Sequence, residues 1–432
     1  MVLKLADRIA KNSHFVSEVN PLATVDQRDC EAHALLLIEH PTIVAAKKAC
    51  AHRWRSLVGN DPNEEAWSRF DSLIEECVFA ALMKAVNGDP NHPKITRIVM
   101  PPHEWFGMKV PGSRFAGGPG IDQSYAIAPI DFGTRYEIRG QWIHPAPADH
   151  VYNVVGNPSM WNVLSQLEYA QLKVEADGTF VIGVGPDPGE QANHILTKPG
   201  AQYLFIRDCR ADWRERATAL TIERLDPPSR PSWNDRQIAD RAAHIMLEDA
   251  SAMYVWMRYF QNMIPNTVSV PFGTGDFGGL VAQSVSFADI KLADDEAFVL
   301  HVDPADAAFF DVQINDYWFH SIGDYVGRTA SFNGAQSACN PDGTITYVVS
   351  IQDPGVHNWL DTNGVHEALL VQRWQRLPMH PGRRQPKISG ERVKLRDLDF
   401  ALPAGTPHLD SAGRRKQVAD RMDTYNLRLV DG

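Results

Sequence analysis

Two stretches of the chain share one pattern, and this repeat decides the fold class. "GTFVIGVGPDPGEQANHILTKPGAQYLFIRD" (residues 178–208) aligns with "GTITYVVSIQDPGVHNWLDTNGVHEALLVQRW" (residues 343–374). Each stretch contains an apolar run typical of a strand, an Asp-Pro-Gly triplet and a closing apolar run. The triplet predicts a tight turn, because proline presets φ and glycine permits positive φ. A strand–turn–strand unit that occurs twice predicts two similar β-domains and indicates a duplication.

The alignment also pairs individual residues. Asn193 aligns with Asn358 when a gap of one residue is allowed, and Arg207 aligns with Arg373 at the end of the closing strand. A turn that recurs in both halves favours a structural role for the triplet. It leaves open the role of His357, which follows the triplet and precedes Asn358.

The sequence around the repeat predicts five segments. They are an N-terminal helical region (1–95), a first β-sandwich domain (96–228), a linker and long helix (229–265), a second β-sandwich domain (266–378) and a C-terminal tail with one helix (379–432). The predicted fold is therefore mainly β with helical additions: two similar antiparallel β-sandwich or jelly-roll-like domains, an N-terminal helical segment and a long connecting helix. The helix expected over residues 235–264 would be about 40 Å long, enough to brace two domains.

Composition limits the classes of function. The chain has 432 residues, with 42 basic and 53 acidic side chains and a net charge of −11. This charge argues against a nucleic-acid partner, since neutralising phosphates requires a basic face. The five cysteines lie far apart and form no CxxC pattern, so neither a disulfide framework nor a zinc site is predicted. The N-terminus lacks a signal-peptide core and no apolar run could span a bilayer, so we expect a cytoplasmic protein that does not enter membranes.

Established catalytic and cofactor patterns are absent from the sequence. It contains no GxSxG elbow, no GxxxxGK[ST] phosphate loop and no HExxH helix. "GTGDFGG" (273–279) lacks the helix that should follow a nucleotide-binding loop, so a turn is the favoured interpretation. "AGGPGID" (116–122) leads into Asp122 and Tyr125, and its glycines would let backbone amides approach a ligand closely. We therefore expect no organic cofactor.

The candidate site residues are polar groups and aromatic rings in predicted loops and strand ends. Histidine is the natural acid–base group near neutral pH, and a carboxylate can orient it. The catalytic candidates are His357, His103, Asp122, Tyr125 and His320. The candidate substrate contacts are Glu104, Trp105, Trp318, Asn358, Trp359, Asp361 and Arg373. His103, Glu104, His320 and His357 are also suitable ligands for a divalent metal, although their spacing does not require one.

Several of these motifs resemble one protein family. "YVVSIQDPGVHNWLDTNG" followed by "LLVQRW", with "DYWFHS" upstream, resembles the DUF1214 domain. "GIDQSYAIAPID" and "HILTKPGAQYLFIRDCRADWRERATALTIERLD" are similar to the preceding β-domain of DUF1254/DUF1214 proteins. In that family Asn-Pro-Asp usually precedes the tyrosine, whereas Gly120-Ile121-Asp122 precedes Tyr125 here, so only the acid and the tyrosine carry over. The resemblance covers roughly residues 97–430 and implies two β-sandwich-like domains joined by helices, but no particular chemistry.

Three functions are consistent with the sequence. The leading hypothesis is a hydrolase or lyase that acts on a small hydroxylated, partly apolar metabolite in a pocket between or beside the β-domains. The second is a carbohydrate-binding or carbohydrate-processing protein, because eleven tryptophans could provide stacking surfaces. The third is a non-catalytic assembly protein whose helices mediate oligomerisation, and in each case we expect a homo-oligomer.

Overall fold

The helices come from three parts of the chain. The computed structural model describes residues 14–114, 117–143, 145–275, 279–380 and 382–431. The helices in these ranges are α1 (Val25–Leu37), α2 (Pro41–Val58), α3 (Glu64–Ser68), α4 (Phe70–Val86), α5 (Asp235–Gln261), α6 (Leu398–Ala401) and α7 (Ser411–Asn426). In the described residues no helix has the length and apolarity needed to cross a membrane.

The helix starts follow their local sequence signals. Thr24 accepts a hydrogen bond from the backbone N–H of Gln27 at 3.0 Å and so caps α1. Pro41 lies in the first turn of α2, where its missing N–H costs nothing. Asn234 and Gln237 form a reciprocal capping box at the start of α5.

Helix α5 braces the two β-domains, as its predicted length suggested. It packs against α2 and α4, and the buried ammonium of Lys84 lies 2.9 Å from Asp249 on α5. Arg241 of α5 donates a hydrogen bond to Gln202 of the first β-domain at 2.8 Å. At the other end of α5, Gln261 donates to the carbonyl of Tyr317 in the second β-domain at 2.8 Å.

The first β-domain is a sandwich of a five-stranded and a four-stranded sheet. Its strands are β1 (Thr96–Ile98), β4 (Gln123–Pro129), β5 (Tyr136–Gln141), β6 (Asp149–Val155), β7 (Val163–Leu167), β8 (Thr179–Gly185), β9 (His194–Leu196), β10 (Tyr203–Cys209) and β11 (Ala219–Arg224), with a separate hairpin of β2 (His103–Trp105) and β3 (Met108–Val110). The sheet orders are β1-β4-β10-β6-β7 and β11-β5-β8-β9.

The second β-domain repeats this architecture strand for strand. Its strands are β12 (Phe272–Gly273), β13 (Ser284–Lys291), β14 (Glu296–Asp303), β15 (Phe309–Asn315), β16 (Ser331–Asn333), β17 (Ile345–Ser350), β18 (Trp359–Asp361), β19 (Glu367–Gln375) and β20 (Lys387–Lys394). The sheet orders are β12-β13-β19-β15-β16 and β18-β17-β14-β20. The expected mainly β fold with two similar β-sandwiches is therefore confirmed.

The Asp-Pro-Gly triplet forms the same turn in both domains. The carboxylate of Asp187 accepts from the N–H of Gly189 at 3.0 Å, and that of Asp353 accepts from Gly355 at 2.9 Å. Both glycines have positive φ (56° and 77°). The turn does not lead into an antiparallel partner, however, because β9 and β18 run parallel to β8 and β17. After each turn the chain crosses back before the next strand pairs, so each sandwich contains one parallel pair of strands.

A buried asparagine supports this crossing in each domain. Asn358 donates to the carbonyls of Ala338 and Thr346 at 2.8 and 2.9 Å, and its Oδ1 accepts from the N–H of Ala338 at 2.9 Å. Asn193 makes the same three bonds with Lys173 and Val181 in the first domain. The two asparagines are therefore equivalent, and the residue before each one is Ala192 in the first domain and His357 in the second.

The two domains differ in what covers the triplet. In the first domain residues 186–191 are exposed. In the second, Arg414 of α7 binds both carboxylate oxygens of Asp353 at 3.0 and 3.1 Å. Residues 379–432, predicted to be a tail with one helix, contribute α6 and β20 as well, and β20 pairs antiparallel with β14 over its full length.

Candidate functional site

A cavity of about 220 Å³ lies where the first β-domain, the second β-domain and α7 meet. We call it the His357 cavity. Its lining residues are Ala211, Asp212, Trp213, Arg214, Phe332, Ala335, Gln336, His357, Gln417, Asp420, Arg421 and Thr424. Trp213 and Phe332 are buried in its wall, whereas Arg214 and Asp420 are exposed, so the cavity opens to solvent on their side.

Asn358 fixes the tautomer of His357. The Nδ1 atom of His357 lies 3.0 Å from Oδ1 of Asn358. The amide group of Asn358 cannot be reversed, because its Nδ2 already donates to two backbone carbonyls. Its Oδ1 must therefore accept the bond, so Nδ1 of His357 carries the hydrogen and Nε2 holds a free lone pair in the neutral ring.

The first β-domain shows that the fold does not require this histidine. Ala192 occupies the equivalent position, next to an asparagine with the same three backbone bonds. Asn358 therefore has a structural role that is independent of His357, and His357 adds a basic nitrogen to a position that alanine can fill.

Helix α7 holds the backbone of His357. The carbonyl of His357 accepts from Arg414 and from Gln417, each at 3.2 Å. The N–H of His357 donates to the carbonyl of Pro407 at 2.8 Å. The half-buried imidazole is therefore attached to a backbone that is fixed from both sides.

Arg421 forms the inner wall of the cavity. Its guanidinium lies 4.6 Å from the centre of the Trp213 ring and donates to the carbonyls of Ser331 and Tyr325 at 2.8 and 3.2 Å. Burial lowers the pKa of Arg421 to about 10, so it remains a cation at neutral pH. Oxygens of Ser331, Tyr325 and Gln336, rather than a paired carboxylate, accept its hydrogen bonds.

Asp122 lies behind Trp213 and does not line the cavity. Its Oδ1 accepts from the indole N–H of Trp213 at 2.7 Å and from Asn333 at 2.6 Å. Burial raises the pKa of Asp122, although both hydrogen bonds oppose the shift. Its Oδ2 is buried without a hydrogen-bond partner among the described residues.

Tyr125 and Arg373 lie in a polar seam between the two five-stranded sheets. Arg373 donates to Asp311 at 3.2 Å and to the carbonyl of Gly118, and Tyr125 accepts from the N–H of Gly120 at 2.8 Å. Burial raises the pKa of Asp311 to about 7, while the charge of Arg373 opposes the shift. The glycine-rich segment expected to approach a ligand instead approaches these side chains of both domains.

A second cavity of about 270 Å³ lies at another place between the domains. Its lining residues are Asp149, Val151, Glu168, Tyr169, Ala170, Leu280, Ala282, Gln283, Arg376, Leu377, Pro378 and Met379. Arg376 lies 3.7 Å from the centre of the Tyr169 ring and donates to the carbonyl of Ala148. Burial raises the pKa of Asp149 to about 6, against the charge of Arg376.

The structure places His103 in a different environment, under the N-terminal helices. Its Nδ1 lies 2.7 Å from the carbonyl of Pro101, and its buried Nε2 lies 3.8 Å from Glu31. Burial lowers the pKa of His103 to about 4 and raises that of Glu31 to about 7. The buried Trp105 also donates to Glu31, whereas Glu104 is exposed on the hairpin.

His320 and Trp318 connect the second β-domain to the N-terminal helices. His320 lies 3.5 Å from Glu76, which Arg114 also binds. Burial would raise the pKa of Glu76, but Arg114 and His320 hold it at about 2. Trp318 is fully buried and donates to the carbonyl of Ala66 at 2.9 Å, so its indole packs in the core that joins the two regions.

Trp359 and Asp361 also make structural contacts. The indole N–H of Trp359 donates to the carbonyl of Ser350 at 3.1 Å, and Arg414 lies over the ring at 5.1 Å. Asp361 pairs with Arg328 at 2.9 Å. Within the described residues no group of three or more His, Cys, Asp or Glu side chains could hold a metal ion.

The structure therefore places the predicted site residues in several separate regions. Of the predicted residues, only His357 lines the cavity beside α7, with Asn358 holding its ring and Asp122 behind its wall. Trp213, Gln417 and Arg421 were not predicted, because they lie far from His357 in the sequence and belong to no motif. Asp311 was missed for the same reason, since its equivalent in the first domain is Val151 opposite Arg207.

Comparison with solved structures finds a protein that shares this fold. An uncharacterised protein from Burkholderia cenocepacia matches with a TM-score of 0.69 and 23% identity over 85% of this chain and 100% of its own. The VPA0106 protein from Vibrio parahaemolyticus matches with a TM-score of 0.40 and 12% identity over 63% of this chain and 90% of its own. No protein-family model and no curated protein matches the chain, so the resemblance to DUF1214 stays a prediction.

Proposed function

We propose that this protein is an enzyme that performs acid–base chemistry, hydrolysis or elimination, on a small hydroxylated, partly apolar metabolite in the His357 cavity. His357 is the general base in this proposal, and no organic cofactor takes part. The observation that carries the proposal is the free Nε2 of His357, whose tautomer Asn358 fixes at the wall of a cavity.

The chemistry of the base follows from its tautomer. A neutral imidazole with a bare Nε2 accepts a proton from a substrate hydroxyl, a water molecule or an acidic carbon within hydrogen-bond reach. The resulting imidazolium keeps its Nδ1–H bond to Asn358, so the ring does not need to reorient during the transfer. The same nitrogen can then return the proton to a leaving group.

The cavity also supports the proposed substrate class. Its volume is below the about 300–1,000 Å³ that is usual for drug-sized ligands, which favours a small metabolite. Trp213 and Phe332 offer apolar contacts, and Gln336 and Thr424 offer hydrogen bonds.

Nitrogen-15 NMR of the histidine rings tests the role of His357 without a known substrate. We expect a neutral ring with hydrogen on Nδ1, and the signal should disappear in His357→Ala. Hydrogen on Nε2 of the neutral ring would contradict the proposed base. Screening small hydroxylated compounds for turnover, with His357→Ala as the inactive control, then tests the activity.

The second candidate function is that of a non-catalytic assembly protein, and one exposed apolar surface favours it. Val255, Trp256 and Tyr259 are exposed near the end of α5, followed by the exposed Ile264. Exposed apolar groups this close together are typical of contact surfaces. The tryptophans give the carbohydrate alternative less support, because Trp256 alone among the eleven is exposed by more than a third.

A further inference from the structure

The second cavity, of about 270 Å³ between the two domains, contains an arginine without an acidic partner. We call it the Arg376 cavity. Nη1 of Arg376 donates to the carbonyl of Ala148 at 2.7 Å, and among the described residues the side chain forms no ion pair and no hydrogen bond through Nε or Nη2. Its guanidinium lies 3.7 Å from the centre of the Tyr169 ring. The edge that carries Nε and Nη2 is a planar fork of the kind that binds a carboxylate through both oxygens.

The first β-domain shows how the same arginine is neutralised when it has a structural role. Arg210 is the residue after β10, as Arg376 is the residue after β19. Arg210 is fully buried and pairs with Asp208 at 3.1 Å. In the second domain Trp374 stands in place of Asp208. The second domain therefore keeps the arginine and lacks the carboxylate that neutralises it in the first.

The backbone of Arg376 is also strained. Its φ of 51° lies in the left-handed region, which residues other than glycine rarely adopt. Strain of this kind persists only where the surrounding structure imposes it, and it is concentrated at sites that hold ligands. The position of this guanidinium is therefore maintained at a cost.

Two carboxylates line the same cavity. Asp149 is buried, and its Oδ1 accepts from the N–H of His150 at 2.9 Å, whereas Glu168 is half-buried and accepts from the N–H of Val281 at 3.2 Å. Burial raises the pKa of Asp149 to about 6, and the charge of Arg376 opposes the shift while that of Glu168 adds to it. Neither carboxylate has a cation within ion-pair distance among the described residues. Two negative charges near each other favour a ligand that brings a positive one.

We propose that the Arg376 cavity binds a small apolar α-amino acid as its zwitterion. The α-carboxylate accepts from Nε and Nη2 of Arg376, and the ammonium group donates to Asp149. Leu280, Leu377 and Met379 provide apolar contacts for the side chain. A ligand with a single charge leaves either Arg376 or Asp149 without a partner, which is costly in a partly buried site. The volume is below the about 300–1,000 Å³ usual for drug-sized ligands, which favours a ligand of this size.

Calorimetric titration of the full chain at neutral pH and low salt tests this class. The probes are L-leucine, isocaproate, which lacks the ammonium group, and isoamylamine, which lacks the carboxylate, with L-asparagine as a polar amino acid of similar size. We expect leucine to bind about tenfold to hundredfold more tightly than either analogue, the effect of one charged hydrogen-bonding partner, and more tightly than asparagine. Equal binding of any of these three, or no binding of leucine at millimolar concentration, would overturn the inference.

Two variants remove one charge each while changing the size of the side chain little. Arg376→Gln should weaken leucine and isocaproate by about tenfold or more but not isoamylamine, whereas Asp149→Asn should weaken leucine and isoamylamine but not isocaproate. Arg139→Gln, on the exposed face of β5, is the control and should change none of them. If Arg376 and Asp149 only hold the domains together, each variant shifts all three probes alike, and this result contradicts the inference. The ranking of the probes on the wild type decides if a variant does not fold.

His357→Ala separates this inference from the proposed function. The two cavities share no lining residue, so leucine affinity should be unchanged in this variant. If leucine binds as described and His357→Ala keeps full turnover, the proposed base is wrong and the amino-acid site stands. If leucine does not bind but His357→Ala removes turnover, the amino-acid site is wrong and the proposed base stands. Loss of leucine binding in His357→Ala would place the ligand in the other cavity and contradict the inference.

Discussion

Ala192 in the first β-domain occupies the position that His357 occupies in the second. Each is followed by an asparagine with the same three backbone hydrogen bonds. The molecule thus contains its own control for the effect of the histidine on folding, and the first prediction uses it.

His357→Ala should abolish turnover and leave stability almost unchanged. The half-buried imidazole makes one side-chain hydrogen bond, so we expect the free energy of unfolding to fall by about 1 kcal/mol or less. Urea denaturation and a turnover assay measure the two effects on the same preparation. A variant that unfolds, or one that stays fully active, contradicts the role of His357 as a base that the fold does not need.

Asn358→Ala should destabilise the protein strongly. It removes three hydrogen bonds and leaves buried groups of Ala338 and Thr346 unpaired, so we expect a loss of roughly 2–4 kcal/mol. Asn193→Ala is the matched variant and should lose a similar amount from the first domain. If urea denaturation shows losses below about 1 kcal/mol at both sites, the asparagines do not support the crossing connections.

Asp311→Asn should flatten the dependence of stability on pH. Burial raises the pKa of Asp311 to about 7, so the folded protein retains a proton that the unfolded chain releases near its usual pKa of 3.8. The wild-type free energy of unfolding should therefore fall as pH rises from about 4 to about 7, by roughly 1–3 kcal/mol from this group.

Asparagine resembles the protonated carboxyl and does not titrate. The part of the pH-dependent fall in the free energy of unfolding that Asp311 causes should therefore disappear in the variant. Urea denaturation between pH 4 and pH 8 measures it, and Asp423→Asn on the exposed face of α7 is the control. A fall that is as steep in Asp311→Asn as in the wild type would show that other groups cause it.

Arg414→Ala should loosen α7 and the backbone of His357 together. The variant loses the pairing with Asp353 and the bonds to the carbonyls of Val356 and His357, so we expect a loss of roughly 2–4 kcal/mol. Hydrogen exchange should increase over residues 411–426 and 353–358, whereas residues 187–193 of the first domain should be unaffected. Uniform exchange across both turns would contradict a local role for Arg414.

Trp256→Glu tests the homo-oligomer expected from the sequence. Trp256 and Val255 are exposed on α5, so a charge there should not affect folding but should disrupt an apolar contact between copies. We expect light scattering to give a lower molecular mass for the variant than for the wild type. An unchanged mass would exclude this face as the contact, and Arg236→Glu at the exposed start of the same helix is the control.

The repeat in the sequence contains enough information to predict the two β-sandwiches, because apolar runs and turn residues are local signals. The parallel pairing of β9 and β18 was not predictable from it, since Asn193 and Asn358 act through contacts distant in the sequence. The candidate site was likewise predictable only in part. His357 was predicted because a histidine that follows the Asp-Pro-Gly turn is a natural acid–base candidate, whereas Trp213 and Arg421 reach it only through the folding of the first domain and α7.

The position of α7 has a consequence for the order in which the protein is made. Both β-domains precede α7 in the chain, yet α7 supplies Gln417, Asp420, Arg421 and Thr424 to the His357 cavity. During translation the sandwiches can form while α7 is still inside the ribosome. The nascent chain therefore has both domains but no finished cavity, and the cavity is complete only when this helix emerges and docks.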